Sequence, residues 1–581
     1  MFLLNIKRFV KSPVFLISTV AYFAILYVMQ PTHIAKGIED ISNSTLTTQS
    51  FSFLFFMMIS YEFFYQINVS KLGELISVSG YGVIREKCYG LLIFLGLDLV
   101  MYVMFLVISA QGTASVMREW NTAWFVMLAK AYLIYHFLTY LFAILAGLLI
   151  SFIHSRIRAF GVLIFVFSLF SQIILPVLMQ CVNASEKWTH IMDIFGIMNR
   201  NYYIYCDLYY NYSVENVNIQ RVLFWILLTL SILSAVVNRG KKHILTGMLF
   251  AASFVTFVFY IQPAGYRYVG GDWGAYMEEQ QYYTLLYDNV KEGIARSYKD
   301  ADFKVLKYEG ELSAKRVLEA SLDLTVDKEY LEQYCFTLYH GYQVREVSDQ
   351  DGNGLSFEQQ GDHVLVRNDA GGPVTKLHFE YSGFSRKYVA TSQAVFLGGN
   401  FPYVPHPGWN VYKSEPVEVH DDPMVTQSWD VSEYGLKGLG YKTDYDLWFH
   451  TAGTVYSNLD EKGPSHFAGT SEGATFVACD YIREMKIRNC TVYYSALCAP
   501  YFHFNLDETI KRYEDVIDEY SALGDWEDMK IFDMMFFGDG TLIHYYASDH
   551  MISDDDNIPR FYPYYLETGK TPSYNDIYGD E

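Results

Sequence analysis

The chain has 581 residues, of which 51% are hydrophobic and 17% aromatic, yet its mean hydropathy is only +0.09, so the apolar content is gathered into part of its length. Residues 1–264 hold 17 Lys+Arg against 11 Asp+Glu; of the chain's 43 basic and 64 acidic residues, that leaves 26 and 53 for the remainder, a net of −27. An acidic half of that size excludes nucleic acid as a partner, because phosphate binding needs clustered Lys and Arg.

A helix crossing the hydrocarbon core takes about 20 mainly apolar residues. In chain order the sequence predicts seven such spans, at 13–30, 46–67, 89–110, 122–151, 160–181, 221–237 and 243–262, making 1–264 an α-helical polytopic membrane domain. No small-residue cleavage site follows the first run, which therefore reads as a retained span. Lys and Arg collect in short cytoplasmic loops. With the N-terminus (Lys7, Arg8, Lys11) inside, the inner loops are 68–88 (Lys71, Arg85, Lys87), 152–159 (Arg156, Arg158) and 238–242 (Arg239, Lys241, Lys242), eleven basic residues in all. The outer loops are longer and carry five: Lys36, Arg118, Lys187, Arg200 and Arg221. The knot at Arg239, Lys241 and Lys242 is thus expected in the cytoplasm, and an odd number of spans puts residues 265–581 outside a multi-pass cell-membrane protein. The alternative is that 221–262 forms one re-entrant hairpin or a miscounted pair.

Three charges fall within the expected spans, Glu62, Asp98 and Lys130. Burying a charge in lipid costs several kcal/mol unless it is paired. At about 1.5 Å per residue, Asp98 and Lys130 come to similar depths in adjacent spans, which allows an ion pair. Such a pair serves either packing or a transport path. Glu62, near the cytoplasmic end of its span, is placed to reach headgroup water.

The opening "MFLLNIKRFVKSPVFLI" and the loop "KLGELISVSGYGVIREKCYG" resemble the permeases of exporter-type ABC transporters of the second class. There a short amphipathic basic helix precedes the first span, and the loop between the second and third spans docks on the ATPase. The resemblance covers residue 1 to about 237 and implies Glu74, Leu75, Ser77, Ser79, Arg85 and Lys87 as docking residues. It also implies a homo- or heterodimer of permeases with a separate ATPase subunit. This chain has no phosphate loop of its own: "GLKGLGYKT" (435–443) puts Tyr441 where the Lys is needed. No cofactor is expected in it, ATP being bound by the partner.

Residues 265–302 read as a connector, helical at 276–297. From about 303 the spacing changes to period two. "KRVLEASLDLTV", "EQYCFTLYHGYQVREVS", "HVLVRN", "TKLHFEYSGFS", "YDLWFHTAG" and "TVYYSA" are split by turn runs such as "DQDGNG" and "NDAGGP". An antiparallel β-sandwich over 303–500 follows, with an α/β tail over 501–581 whose helix is "FNLDETIKRYEDVIDEYSALG" and whose first strand is "MKIFDMMFF". The order of these strands, with "YDLWFHTAGTVYSNL" ending at Ser457-Asn458 and followed by "HFAGTSEGATFVACDY", resembles the N-terminal β domain of the gluzincin, thermolysin-like aminopeptidases. The stretch "SQAVFLGGNFPYVPHPGWN" departs from that family in lacking an Arg and acidic residues.

That family's zinc site is His-Glu-x-x-His, which places two imidazoles one helical turn apart. The motif does not occur in this sequence, nor does a Gly-x-Met-Glu-Asn strand. His544 and His550 in "HYYASDH" are six apart, so they do not share a helical face. No metal site and no catalysis are expected. Among seven cysteines there is no C-x-x-C. Disulfides are open to Cys181 with Cys206 and to Cys479 with Cys490, although the sandwich cysteines suit small unpaired core positions. Six tyrosines in 199–212 suit a lipid–water boundary. The expectation is an ABC exporter permease subunit with a non-catalytic outer domain that binds or gates substrate or a partner. The alternative is a membrane-anchored pseudo-peptidase, binding or sensor protein without transport.

Overall fold

The structure, a computed structural model, describes residues 2–29, 48–69, 83–116, 122–171, 194–198, 212, 214–238, 243–261, 282, 300–385, 388–409, 439–495, 506–520, 526–533, 536–537, 541–542, 545–553 and 557–569. The chain divides into a helical unit within residues 1–266 and a sheet-rich unit from residue 267 onward.

The helical unit opens with α1 (Phe2–Lys11) and α2 (Pro13–Met29), which meet at a 74° bend. Pro13 causes the break: it cannot donate to the preceding turn but suits the first position of a new helix. Phe9 of α1 is folded back onto Phe15, with ring centroids 5.5 Å apart. Next come α3 (Gln49–Val69), α4 (Val83–Val116), α5 (Thr122–Tyr132), a π-helical turn (Leu133–Leu138), α6 (Thr139–Ile150), α7 (Arg156–Phe170), α8 (Asn216–Asn238) and α9 (His243–Ile261). Residues on every side of α3 are buried, polar Gln49, Ser52 and Ser60 among them, so α3 is interior. It touches α6 closely because Gly147 lacks a side chain there: a Cβ would strike Ser60 Oγ and the Met57 carbonyl oxygen. Small residues let helix backbones approach in this way, and Ser60 Oγ uses the proximity to donate to the Ile144 carbonyl at 2.8 Å.

Of the seven expected spans, four correspond to helices long and apolar enough to cross a membrane among the described residues: Glu86–Gln111, Thr122–Ile150, Asn216–Val237 and His243–Ile261. The bent α1–α2 pair makes a fifth if counted as one span. The expected span at 160–181 is represented by α7, which ends at Phe170, and residues 172–193 lie outside the described set.

In the sheet-rich unit the strands are β1 (Val305–Ala314), β2 (Leu318–Val326), β3 (Gln333–Thr337), β4 (Tyr342–Asp349), β5 (Ser356–Gln360), β6 (His363–Arg367), β7 (Lys376–Gly383), β8 (Val395–Leu397), β9 (His406–Pro407), β10 (Thr443–His450), β11 (Val455–Ser457), β12 (Asp460–Gly463), β13 (His466–Ser471) and β14 (Phe476–Ala478). They form a seven-stranded sheet in the order β12-β13-β10-β1-β2-β7-β4, a four-stranded sheet β5-β6-β3-β9 and a three-stranded sheet β11-β14-β8. Alternation drives this layering. On β2, Leu318, Ala320, Leu322, Leu324 and Val326 are buried and the residues between them are not. Phe379 of β7 meets Phe336 of the four-stranded sheet at 5.1 Å, and Phe449 of β10 meets Phe476 of the three-stranded sheet at 4.7 Å. The larger sheet thus packs one face on both smaller ones. Pairing is antiparallel except for β1 with β10, whose partners Lys307 and Asp444 are far apart in sequence.

A further sheet follows, β15 (Ile482–Ile487), β16 (Cys490–Ser495), β17 (Lys530–Asp533), β21 (His550–Ile552) and β20 (Tyr545–Tyr546), in that order, with β16, β17 and β21 parallel; β18 (Phe536–Phe537) and β19 (Thr541–Leu542) pair with each other between β17 and β20 in the chain. Helices α10 (Leu506–Tyr520) and α11 (Ile558–Thr568) cover it through a core that includes Val492, Tyr513, Ile531, Met551 and Phe561. The expected α/β tail is present, and β16 belongs to it. This differs from the sequence expectation, which grouped "TVYYSA" with the sandwich: β16 pairs in parallel with β17, beyond the intervening helix.

Candidate functional site

The docking loop expected at 68–88 is described only at its ends. Glu74, Leu75, Ser77 and Ser79 lie outside the described residues, and Arg85 stands in the first turn of α4. Lys87 corrects the expectation. It is buried, its Nζ donates to Asn68 Oδ1 at 2.8 Å, and it lies 4.1 Å above the Phe152 ring. A lysine held between a side-chain amide and an aromatic face is anchored inside the helical unit and is not presented to a partner.

Among the charges in the spans, Glu62 pairs with Arg156 at 3.1 Å and accepts a bond from Gln66 at 2.9 Å. The proposed Asp98–Lys130 pair is not formed. Asp98 is fully buried and neither carboxylate oxygen has a hydrogen-bond partner among the described residues, whereas Lys130 is exposed. The rise per residue fixes depth and leaves the direction around the helix axis open. On α5 the buried positions are Trp124, Met127, Leu128, Ala131 and Tyr132, a stripe that excludes Lys130. Arg239, Lys241, Lys242, Cys181 and Cys206 lie outside the described residues. Cys479 and Cys490 are both buried free thiols, so the disulfide open to them is absent. Burial raises the Cys490 thiol to about 11, which leaves it an unreactive core group.

The densest polar constellation in the sheet-rich unit joins the sandwich strands to the α/β sheet. Asn458, just after β11, donates from Nδ2 to Asp549 Oδ2 at 2.8 Å and to Ser471 Oγ at 3.0 Å. Its Oδ1 accepts the Thr475 N–H at 2.8 Å. Ser471, at the end of β13, donates to Asp549 Oδ1 at 2.9 Å. His550, first residue of β21 and fully buried, has Nε2 2.9 Å from Thr475 Oγ1 and Nδ1 3.2 Å from Asp549 Oδ1. Beside them Lys530 of β17 donates from Nζ to the carbonyls of Ser457, Asn458 and Leu459 at 3.2, 2.8 and 3.1 Å. The loop carrying Thr475 lies close against Gly399: a Cβ there would come within 2.9 Å of the Gly473 backbone, and the Gly399 N–H donates to Thr475 Oγ1 at 2.9 Å.

Burial alone would raise Asp549, but the neighbouring His550 and the bonds from Asn458 and Ser471 outweigh it and hold the carboxyl down at about 2. Burial lowers Lys530, opposed by the carboxylates of Asp460, Asp549, Asp528 and Glu484. The bonds of Asn458, Ser471 and Lys530 tie the sandwich strands to β17 and to Asp549, so these groups act as a clamp between two sheets. His550, half of the His544/His550 pair weighed above, is committed to this clamp; His544 lies outside the described residues. Among the described residues no group of three or more His, Cys, Asp and Glu side chains is arranged to hold a metal ion. Of the clamp, Ser457-Asn458 and His550 stood out in the sequence, the latter as half of a candidate metal pair. Asp549-His550 beside an apolar strand was a usable signal for the rest; Ser471 and Lys530 gave none.

No family model and no curated protein matches the chain. Solved structures that match part of the chain include M1 zinc metallopeptidases. The yeast leukotriene A4 hydrolase in complex with bestatin matches at 13% identity over 44% of this chain and 40% of its own, with a TM-score of 0.29. The M1 zinc metallopeptidase from Deinococcus radiodurans matches at 11% identity over 44% of this chain and 61% of its own, with a TM-score of 0.28. The chain thus spans less than two thirds of either structure. The exporter-permease expectation is not borne out: no family model and no curated protein supports it.

Proposed function

We propose that this chain is a membrane-embedded protein whose sheet-rich unit is a non-catalytic recognition module on the outer side. The observation that carries the reading is the apolar face that the helices leave exposed. Helix α9 buries Ser253 and Tyr260 while Ile244, Met248, Phe250, Phe254, Val255 and Phe259 are exposed. Helix α4 likewise exposes Leu92, Leu99, Val100, Val103 and Val107, while its buried face sets Asp98 and Ser109 among Phe94, Met101, Phe105 and Ile108. Exposed apolar area costs about 25 cal/mol per Å² in water, and contiguous patches of it mark a surface covered by something else. Lipid covers it at no such cost.

Two features support the lack of catalysis. His-Glu-x-x-His does not occur in this sequence, and the carboxylate and amide of Asp549 and Asn458 are engaged within the clamp. The distribution of Lys and Arg supports the outer placement. Cell fractionation tests the membrane reading: the full chain is expected to stay in the membrane pellet after alkaline carbonate, and its release would refute embedding. Alkaline phosphatase fused behind Glu581 is expected to be active in intact cells and a fusion after Lys242 silent; the reverse would place the module inside. Purified full chain is expected to show no chelator-sensitive hydrolysis of aminoacyl substrates.

A further inference from the structure

We propose that Asp98, with Tyr22, Tyr140 and His136, forms a proton-binding site in the centre of the helical unit, with Asp98 resting as the neutral acid. The inference rests on the membrane reading for its surroundings and goes beyond it in assigning a site. Asp98 lies midway along the Glu86–Gln111 segment, roughly 18–20 Å from either end at the α-helical rise. Its face of α4 is a buried stripe, Phe94, Asp98, Met101 and Phe105, spaced three and four residues apart.

Across from that stripe stand polar groups from four other elements. Tyr22 of α2, whose OH is 3.7 Å from Met101 Sδ, and Tyr140 of α6 both feel the Asp98 carboxyl electrostatically, and Ser52 of α3 interacts with both phenols. Tyr140 OH is 2.8 Å from Nδ1 of His136, which lies on the π-helical turn with its ring 4.7 Å from Phe105. Single π-turns inside α-helices recur at functional sites. The other charged groups on neighbouring elements are occupied elsewhere: Arg8 of α1 bears on Glu86, Glu62 of α3 pairs with Arg156, and Lys130 of α5 is exposed.

Both Asp98 oxygens and His136 Nε2 are buried without a hydrogen-bond partner among the described residues. A bare carboxylate in such a place carries a large desolvation cost with nothing to offset it, so the group keeps its proton. His136, linked through Tyr140, is the second titratable base of the cluster. A proton is the ligand this chemistry fits, since among the described residues no group of side chains around Asp98 is arranged to coordinate a metal cation.

Infrared difference spectroscopy on the purified full chain in detergent is the test. At neutral pH a carboxylic-acid C=O band is expected in the wild type and expected to vanish in Asp98→Asn. Identical spectra would overturn the proposal. Asp98→Asn replaces one neutral group by another of the same shape, so it is expected to fold; its failure to fold would show that the charge is needed and would equally overturn the site. In His136→Gln the pH at which the band disappears is expected to shift, and no shift would remove His136 from the site. Because the measurement is made in detergent, it stands apart from carbonate extraction, which judges the membrane reading alone.

Discussion

Asp549 in the sheet-rich unit is partly buried and Asp98 in the helical unit fully so, and their surroundings are opposite. Asp549 receives bonds from Asn458 and Ser471 and contacts His550, and the charged form is held down to about 2. Asp98 has two phenols nearby and no hydrogen bond to either oxygen among the described residues. A buried carboxyl surrounded by donors is a structural tie, because its charge is compensated wherever the fold forms. One surrounded by aromatic rings and left without donors contributes nothing to stability as an anion, and is kept only as a group that carries a proton. The residue type is the same; the donor count decides the role.

The comparison is broken most strongly at Asp549. Asp549→Ala removes the carboxylate that accepts from Asn458 Nδ2 and Ser471 Oγ and faces His550 Nδ1, and is expected to cost about 3–5 kcal/mol. Faster hydrogen exchange of the β13 and β21 amides in the full chain would report it; unchanged protection would mean the two sheets are held by other contacts.

Acid should reproduce part of that loss. The Asp549 carboxyl titrates at about 2 in the folded chain, against about 3.9 when unfolded, so its stabilisation is fully present above pH about 4 and disappears as pH falls through about 2, roughly 2–3 kcal/mol in all. Exchange protection followed downward from pH about 4 checks the window, and Asp549→Asn should flatten the dependence. A smaller effect, about 2 kcal/mol, is expected from Lys530→Met, which strips the donor from three carbonyls. It should appear as local exchange at 457–459 with the helical unit untouched.

At the other pole, Asp98→Asn is expected to change the thermal stability of the detergent-solubilised chain by less than about 1 kcal/mol, because no hydrogen bond is broken. A loss as large as that at Asp549 would erase the contrast between the two carboxyls.

Much of the local structure was legible in the sequence. Period-two spacing marked 315–326, 363–368, 375–385 and 445–453, and the structure has strands at Leu318–Val326, His363–Arg367, Lys376–Gly383 and Thr443–His450. The break at Ser12-Pro13 and the long apolar helices were likewise visible. Less legible was what each charged residue meets. Lys87 read as a surface group of a basic loop, and its burial against Phe152 depends on where the chain returns after α6. Asp98 and Lys130 were matched in depth, and their azimuths, set by neighbouring helices, send them to different environments. The short strands β8, β9, β11 and β14 carry too few residues for a period to show.

Composition and periodicity alone determined that this chain joins an apolar, mildly basic helical part to an acidic sheet-rich part, since hydrophobic spacing is a property of consecutive residues. They also determined that His-Glu-x-x-His is missing. Only the tertiary structure decided that β1 runs parallel to β10, that Asn458, Ser471, Lys530, Asp549 and His550 converge, and that Asp98 stands without a cation. Those outcomes rest on contacts between residues tens to more than a hundred positions apart, and the free energy of such a contact depends on the partner's placement, which no stretch of neighbouring residues encodes.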